Sequence, residues 1–170
     1  MFCKLASIAL ICKKLLSINR TSMNIALLGY GKMGKEIERC ALERGHHIVL
    51  KINSQNAAST SAALLKTADV AIEFSRPELA VKNILSAFDA QIPVVVGTTG
   101  WYEKLNDVKH IATERNQSFL YASNFSVGVN LFFELNKQLA ALMANHPEYA
   151  VQVQEIHHLE KLDAPSGTAI

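Results

Sequence analysis

Six residues, Gly29-Tyr30-Gly31-Lys32-Met33-Gly34, narrow the folds open to this chain more than any other stretch. They spell G-x-G-x-x-G, a weak pattern alone. Here it follows a short apolar run, Asn24 to Leu28, and opens a stretch of helical period from Lys32 to Arg44. That strand–turn–helix context gives the glycines distinct work. The first permits the tight turn, the second lets backbone approach a pyrophosphate, and the third lets helix and strand pack closely. The free N–H groups at the helix start then face an anion. A purely structural glycine turn is the competing reading.

The rest of the pattern extends this unit. His47 to Ile52 reads as a second strand, Ala57 to Thr67 as a helix and Ala68 to Phe74 as a third strand. Pro77 to Asp89 reads as a helix with proline in its first turn, and Ile92 to Val96 as a fourth strand. Trp101 to Arg115 reads as a helix and Ser118 to Tyr121 as a fifth strand. Strands alternating with helices of about ten residues imply α/β architecture, a Rossmann-type doubly wound parallel sheet. Val127 to Asn145 is a longer helix with Leu131, Leu135, Leu139, Leu142 and Met143 on one face. A strand is expected over Val151 to Ile156, reaching back to Tyr149, and a helix start at Ser166 to Ile170. The expected organisation is an extension outside the fold (1–22), a dinucleotide-binding domain (23–126) and an incomplete α+β substrate and tetramerisation domain (127–170). The sequence reads as C-terminally truncated.

Bulk properties exclude several classes. The chain has 170 residues and a formal net charge of +2, with no basic stripe, so neither nucleic acid nor an acidic membrane surface is an expected partner. The apolar run Leu5 to Cys12 is too short to span a membrane. Its strongest basic pair follows it, opposite to a signal peptide, so Met23 is the expected functional start. The three cysteines show no CxxC spacing, which suits a cytoplasmic protein. Cys40 is expected on the core face of its helix with Met33, Ile37 and Ala41.

An acidic residue usually binds the ribose hydroxyls about 20 residues beyond the glycine loop. Asn53 stands near that place and Lys51 two residues earlier. Losing the carboxylate removes a repulsion against a 2′-phosphate, and Lys51 could add an attraction, so both NADH and NADPH are expected to be accepted. Lys51 as a plain solvated strand-end lysine is the alternative.

Three segments follow successive strands: Glu73-Phe74-Ser75-Arg76-Pro77, Gly97-Thr98-Thr99-Gly100-Trp101, and Ala122-Ser123-Asn124-Phe125-Ser126-Val127-Gly128-Val129-Asn130. All sit where ligands bind in open sheets. Together with the run from Glu155 to Ala169, which includes His157-His158-Leu159-Glu160-Lys161 and Pro165-Ser166-Gly167-Thr168, they resemble the 4-hydroxy-tetrahydrodipicolinate reductase family, also called dihydrodipicolinate reductase. The resemblance runs from Met23 to the last residue. It implies reduction of 4-hydroxy-tetrahydrodipicolinate to tetrahydrodipicolinate with NADH or NADPH, in lysine biosynthesis through diaminopimelate, by a homotetramer. It implies cofactor contacts at Gly29, Tyr30, Gly31, Lys32, Met33 and Gly34, at Gly97, Thr98 and Thr99, and at Ala122, Ser123, Asn124 and Phe125. His157 and Lys161 match the proton-handling residues, and His158, Gly167 and Thr168 the substrate-binding ones. The phosphate loop is one residue shorter than in many members.

The residue types of the final motif suit such chemistry. Histidine titrates near neutrality. A lysine ammonium can bind a carboxylate or favour added electrons. A helix opening at Ser166 would offer N–H groups to a substrate carboxylate of the small cyclic dicarboxylate. A zinc site from Glu155, His157, His158 and Asp163 matches no familiar spacing, so no metal is expected. An inactive nucleotide-binding module and another two-domain dehydrogenase are the alternatives; His-His-x-x-Lys before Ser-Gly-Thr argues against the second.

Overall fold

The computed structural model describes residues 22–56, 62–156 and 165–166. Five strands alternate with helices: β1 (Asn24–Leu28), α1 (Lys32–Glu43), β2 (His47–Ile52), α2 (Ala62–Leu65), β3 (Val70–Glu73), α3 (Pro77–Asp89), β4 (Val94–Val96), α4 (Leu105–Glu114) and β5 (Phe119–Tyr121). A single 3₁₀ turn, Tyr102–Lys104, precedes α4, and a long helix α5 (Val127–Met143) follows β5. As far as α5, strands and helices fall where the apolar periodicity places them, with ends trimmed by one or two residues as frayed termini usually are, except that the helix expected from Trp101 opens as the 3₁₀ turn and is α-helical only from Leu105. Residues 57–61 of the expected helix before β3 lie outside the described residues; the described part is α2.

The sheet order is β2-β1-β3-β4-β5, and every neighbouring pair is parallel. Chain direction along the sheet therefore reverses between β1 and β3. A doubly wound sheet leaves a crevice at such a point, because the connections after the two strands lead to opposite faces. The core confirms that division. Ile25 and Leu27 of β1 pack with Ala41 and Ile37 of α1 on one face. Ala26 and Leu28 join Ala71, Val94 and Val96 against Leu65 of α2, Ile84 of α3 and Val108 of α4 on the other. Successive strand residues point to opposite faces, and both faces of the central strands are covered, so these strands are apolar throughout.

Ile84 of α3 is fully buried within the larger cluster. Ile84→Val is expected to destabilise the domain by about 0.5–1.5 kcal/mol, the usual effect of deleting one core methyl. Urea titration with an unchanged m-value checks this; an unshifted midpoint would mean that the site collapses around the gap.

Two expectations are corrected. Cys40 is only half-buried, with its Sγ 3.8 Å from Oε1 of Glu36, and Met33 is exposed. The stripe of α1 that meets the sheet is Gly34, Ile37 and Ala41, so position 40 falls just beside it. Residues 151–156 form no strand and are exposed. Val151 and Val153 alternate correctly for one, but a strand exists only against a hydrogen-bonded neighbour, and the described residues supply none.

Candidate functional site

The turns after β1, β3, β4 and β5 lie side by side because each strand end bonds to the next. The Gly29 N–H donates to the Ile52 carbonyl, Phe74 to Leu28, Gly97 to Glu73 and Ala122 to Val96, at 3.0, 2.9, 2.9 and 3.3 Å. All four turns thus occupy the carboxyl edge of the sheet.

The glycine loop has the geometry its pattern requires. Gly29 adopts φ of +107°, and a Cβ there would collide with the Phe74 carbonyl. The turn after β1 thus lies directly against the first residue after β3, where no side chain has room. A Cβ on Gly34 would strike the Gly29 carbonyl, so the third glycine sets how closely α1 approaches its own strand. A Cβ on Gly31 would meet nothing within 4 Å. The middle glycine faces open space, and α1 has no side-chain cap and no acidic residue in its first turn. Its first N–H groups are left for an anion, and a nucleotide pyrophosphate fits this cradle.

Two adjoining cavities share Gly31, Phe74 and Ser75. The narrower, about 260 Å³, reaches toward the end of β2 and is lined by Tyr30, Asn53, Ser54, Arg76 and Asn83 among others. The wider, about 950 Å³, brings Lys32 and Met33 together with Gly97, Thr98, Thr99, Tyr102, Ser123 and Pro165. Three of the segments singled out in the sequence therefore meet at one crevice. Ala122, Asn124 and Phe125 line neither cavity. The Phe125 ring stands 6.3 Å from that of Phe74. Asn124 works on the chain itself: its Oδ1 accepts from the Ser126 N–H, and its carbonyl from Asn130 Nδ2. Ser126 in turn caps α5 by accepting from Val129.

At the end of β2, Asn53 is committed to its own turn. Its Oδ1 accepts from the N–H groups of Gln55 and Asn56, at 2.8 and 3.2 Å. Lys51 is not the solvated strand-end lysine of the alternative reading. Its Nζ is 2.6 Å from Oε1 of Glu38 on α1 and 5.0 Å from the centroid of the Tyr30 ring. The Tyr30 hydroxyl donates to Oε2 of the same carboxylate. Hydrogen bonds from Lys51 and then Tyr30 hold the Glu38 carboxyl below its usual range. The Glu38 carboxylate holds both the Lys51 ammonium and the Tyr30 phenol above theirs.

The β3 end holds a polar network not flagged by the sequence. Glu73 is fully buried. Its Oε1 accepts from the backbone and hydroxyl of Ser75 and from Nδ2 of Asn83, while Oε2 has no partner among the described residues. The Ser75 N–H also donates to Oγ1 of Thr98 at 2.8 Å. This network fixes the turn after β3 against the turn after β4. Trp101 extends it, since its indole N–H donates to the Thr98 carbonyl at 2.8 Å. The Trp101 ring also packs on Tyr102 and Tyr121, and burial, then the nearby Tyr121, pushes the Tyr102 phenol up.

His157, His158, Lys161, Gly167 and Thr168 lie outside the described residues. Their flanks do not. Pro165 lines the wider cavity. Ser166 is buried, with its N–H 3.0 Å from Oε1 and its hydroxyl 2.7 Å from Oε2 of Glu155. The Ser166 N–H is therefore taken by the protein's own Glu155 carboxylate, while the following N–H groups of the expected helix start lie outside the described residues. Among the described residues, no group of three or more potential ligands is placed to hold a metal ion, and no helix is long and apolar enough to cross a membrane.

Comparison with known proteins gives consistent matches. The family model "Dihydrodipicolinate reductase, N-terminus" matches residues 23–125, and "Dihydrodipicolinate reductase, C-terminus" matches residues 128–170. The chain is 50% identical over 150 residues to the 4-hydroxy-tetrahydrodipicolinate reductase of Christiangramia forsetii, covering 87% of this chain and 61% of that protein. It is 39% identical over 153 residues to the enzyme of the same name from Staphylococcus aureus, covering 86% and 61%. In fold it is similar to a dipicolinate-bound dihydrodipicolinate reductase from Paenisporosarcina sp. TG-14, with a TM-score of 0.62, 24% identity, and coverage of 88% of this chain and 63% of that one. The chain thus spans about three-fifths of the length of these relatives, 61% for the first.

Proposed function

The chain belongs to the dihydrodipicolinate reductase family, and from that premise we propose that it carries the cofactor site and the proton-handling residues of a nicotinamide-dependent 4-hydroxy-tetrahydrodipicolinate reductase. The observation that carries this reading is the meeting of the glycine loop, Gly97 to Thr99, Ser123 and Pro165 around one cavity. A pyrophosphate held on the N–H groups of α1 would direct the adenosine end toward Tyr30 and Asn53, and the nicotinamide end toward Thr98, Thr99 and Ser123. The remaining residues of the third segment, Ala122, Asn124 and Phe125, shape the exit from β5 and support that wall.

A reduced nicotinamide, when bound, supplies a hydride. This chain's residues would do the rest. The turn network of Glu73, Ser75, Asn83 and Thr98 holds the cavity wall rigid, so that donor and acceptor meet in a fixed geometry. Hydride addition to a carbon–nitrogen double bond calls for one proton: His157 would hold and deliver it, with Lys161 as the second proton-donating residue, and while protonated the Lys161 ammonium would place a positive charge where electron density accumulates. His158, Gly167 and Thr168 bind the carboxylates of a small cyclic dicarboxylate. The organisation follows as residues 23–126 for the nucleotide and 127–170 for the start of the substrate and tetramerisation domain. The setting proposed is lysine biosynthesis through diaminopimelate, in the cytoplasm, by a homotetramer. The test is to follow loss of reduced-nicotinamide absorbance on adding the cyclic dicarboxylate substrate. Binding of cofactor without turnover of that substrate would instead support a nucleotide-binding module.

Both cofactors are expected to bind with similar affinity. Asn53→Asp preserves the acceptor that Gln55 and Asn56 use, so the turn survives while a negative charge joins the cavity wall. NADPH affinity is expected to fall about tenfold relative to NADH, as one unit charge at near-surface range allows. Titration of both cofactors against wild type and variant measures it. Strong NADH preference already present in the wild type would refute the expectation.

A further inference from the structure

We propose that Glu38 is a specificity-determining residue of the nucleotide site: by holding Lys51 and Tyr30, it offsets the Lys51 charge at the carboxyl end of β2, so that this lysine neither draws in nor shuts out a 2′-phosphate. The proposal rests on the nucleotide-binding reading above and adds a residue on α1 that no motif marks.

The geometry is specific. Tyr30 lies within the glycine loop and lines the narrower cavity, as does Asn53, two residues beyond Lys51. Glu38 sits two turns into α1, with its side chain 18% exposed, and meets Lys51 at 2.6 Å. Its second oxygen takes the Tyr30 hydroxyl. Both carboxylate oxygens are thus committed, one to the glycine loop and one to β2. Lys51 stays 41% exposed, so its ammonium can be approached by a further anion from the solvent side. Such an anion meets the Glu38 charge beside it. The Coulomb terms from the ammonium and the carboxylate then largely cancel at the distance of a ribose 2′ substituent. An unphosphorylated ribose carries no charge and feels little of either. The lowered Glu38 and raised Lys51 pKa values mean that the pair remains ionised around neutral pH. Arg76, from the turn after β3, lines the same narrower cavity; its charge is common to the wild type and to the variants of Glu38 and Lys51, so it sets the baseline ratio and not the changes those variants produce.

The prediction has opposite signs for the two partners. Glu38→Gln keeps a hydrogen-bonding side chain but removes the charge, leaving Lys51 to attract the phosphate. The ratio of affinities for 2′-phosphorylated over unphosphorylated nucleotide should rise about tenfold. Lys51→Met removes the attraction and leaves Glu38 to repel, so the ratio should fall by a similar factor. The double variant should return close to wild type.

The experiment is calorimetric titration of the protein with ADP-ribose and 2′-phospho-ADP-ribose, repeated with NADH and NADPH, at two salt concentrations. The tenfold rise in the first variant should shrink at the higher salt. Opposite shifts in the two single variants, restored in the double, support the proposal. A ratio that stays within twofold of wild type in Glu38→Gln, or that moves the same way in both single variants, overturns it while leaving the function reading intact. A wild type that binds neither nucleotide overturns both. Because the ratio is taken within each variant, a general loss of stability does not mimic the effect.

Discussion

His157→Ala is expected to lower the turnover number of the reductase by about 10²–10⁴-fold, the usual consequence of removing one acid–base group. Lys161→Ala should have an effect of the same order. Cofactor affinity should change far less in both, because the proposed nucleotide site lies elsewhere, on the turns after β1, β3 and β4. The flanks of this segment carry the structural case. Pro165 lines the wider cavity, and Ser166 is tied to Glu155 through backbone and hydroxyl. Residues 155 and 166 are therefore fastened together, with residue 165 at the cavity where hydride would arrive. Stopped-flow measurement of nicotinamide oxidation, with cofactor affinity measured in parallel, separates the two effects. Unchanged turnover in either variant removes that residue from the mechanism.

The 170-residue chain produced by itself is expected to turn over at least about a hundredfold more slowly than the longer relative from Christiangramia forsetii, and to self-associate without a defined stoichiometry. The reason is unburied apolar surface and unsupported catalytic groups. Helix α5 has no buried residue. Leu131, Leu135 and Leu139, one face of that helix, are 66%, 61% and 53% exposed. Leu120 of β5 is also exposed, on the side of the sheet that α1 covers only at its other end. Val151, Val153 and Ile156 lie almost fully open to solvent. Contiguous apolar surface of this kind marks an interface or leads to association. The same exposure leaves residues 151–156, which lead into the proposed catalytic segment, without packed cover, and a displacement of about 1 Å in a reacting group can cost about 10²-fold in rate. Light scattering and turnover measured side by side test both parts. A monodisperse tetramer with activity comparable to the relative's would show that α5 and residues 151–156 need no further cover.

Much of this protein was legible in its residues. The apolar runs placed all five strands, because a strand buried on both faces must be apolar throughout. The glycine spacing placed the tight turn and the close packing of α1 on its strand, because each demands a missing side chain at a fixed offset. The segments after β3, β4 and β5 could be singled out because strand ends in an open parallel sheet share one edge. These are local rules, or rules of connectivity, and the chain order states them.

What the chain order could not state was decided by distance in space. Lys51 is drawn to Glu38, thirteen positions earlier by number and on a different element, because the bulge where β2 pairs with Ile25 and Ala26 leaves Lys51 facing α1 at the height of the glycine loop. Glu73 is buried rather than displayed because Ser75, Asn83 and Thr98 come from three elements to surround it. Cys40 misses the core by a fraction of a helical turn, which an apolar period cannot resolve. Residues 151–156 have the alternation of a strand but not its partner, and pairing is the part of a strand that no single segment contains. Sequence determined the sheet, the glycine turn and the family's residue types. Only the tertiary structure decided which charges at the crevice are already spoken for, since that depends on side chains from separate elements reaching within hydrogen-bonding distance.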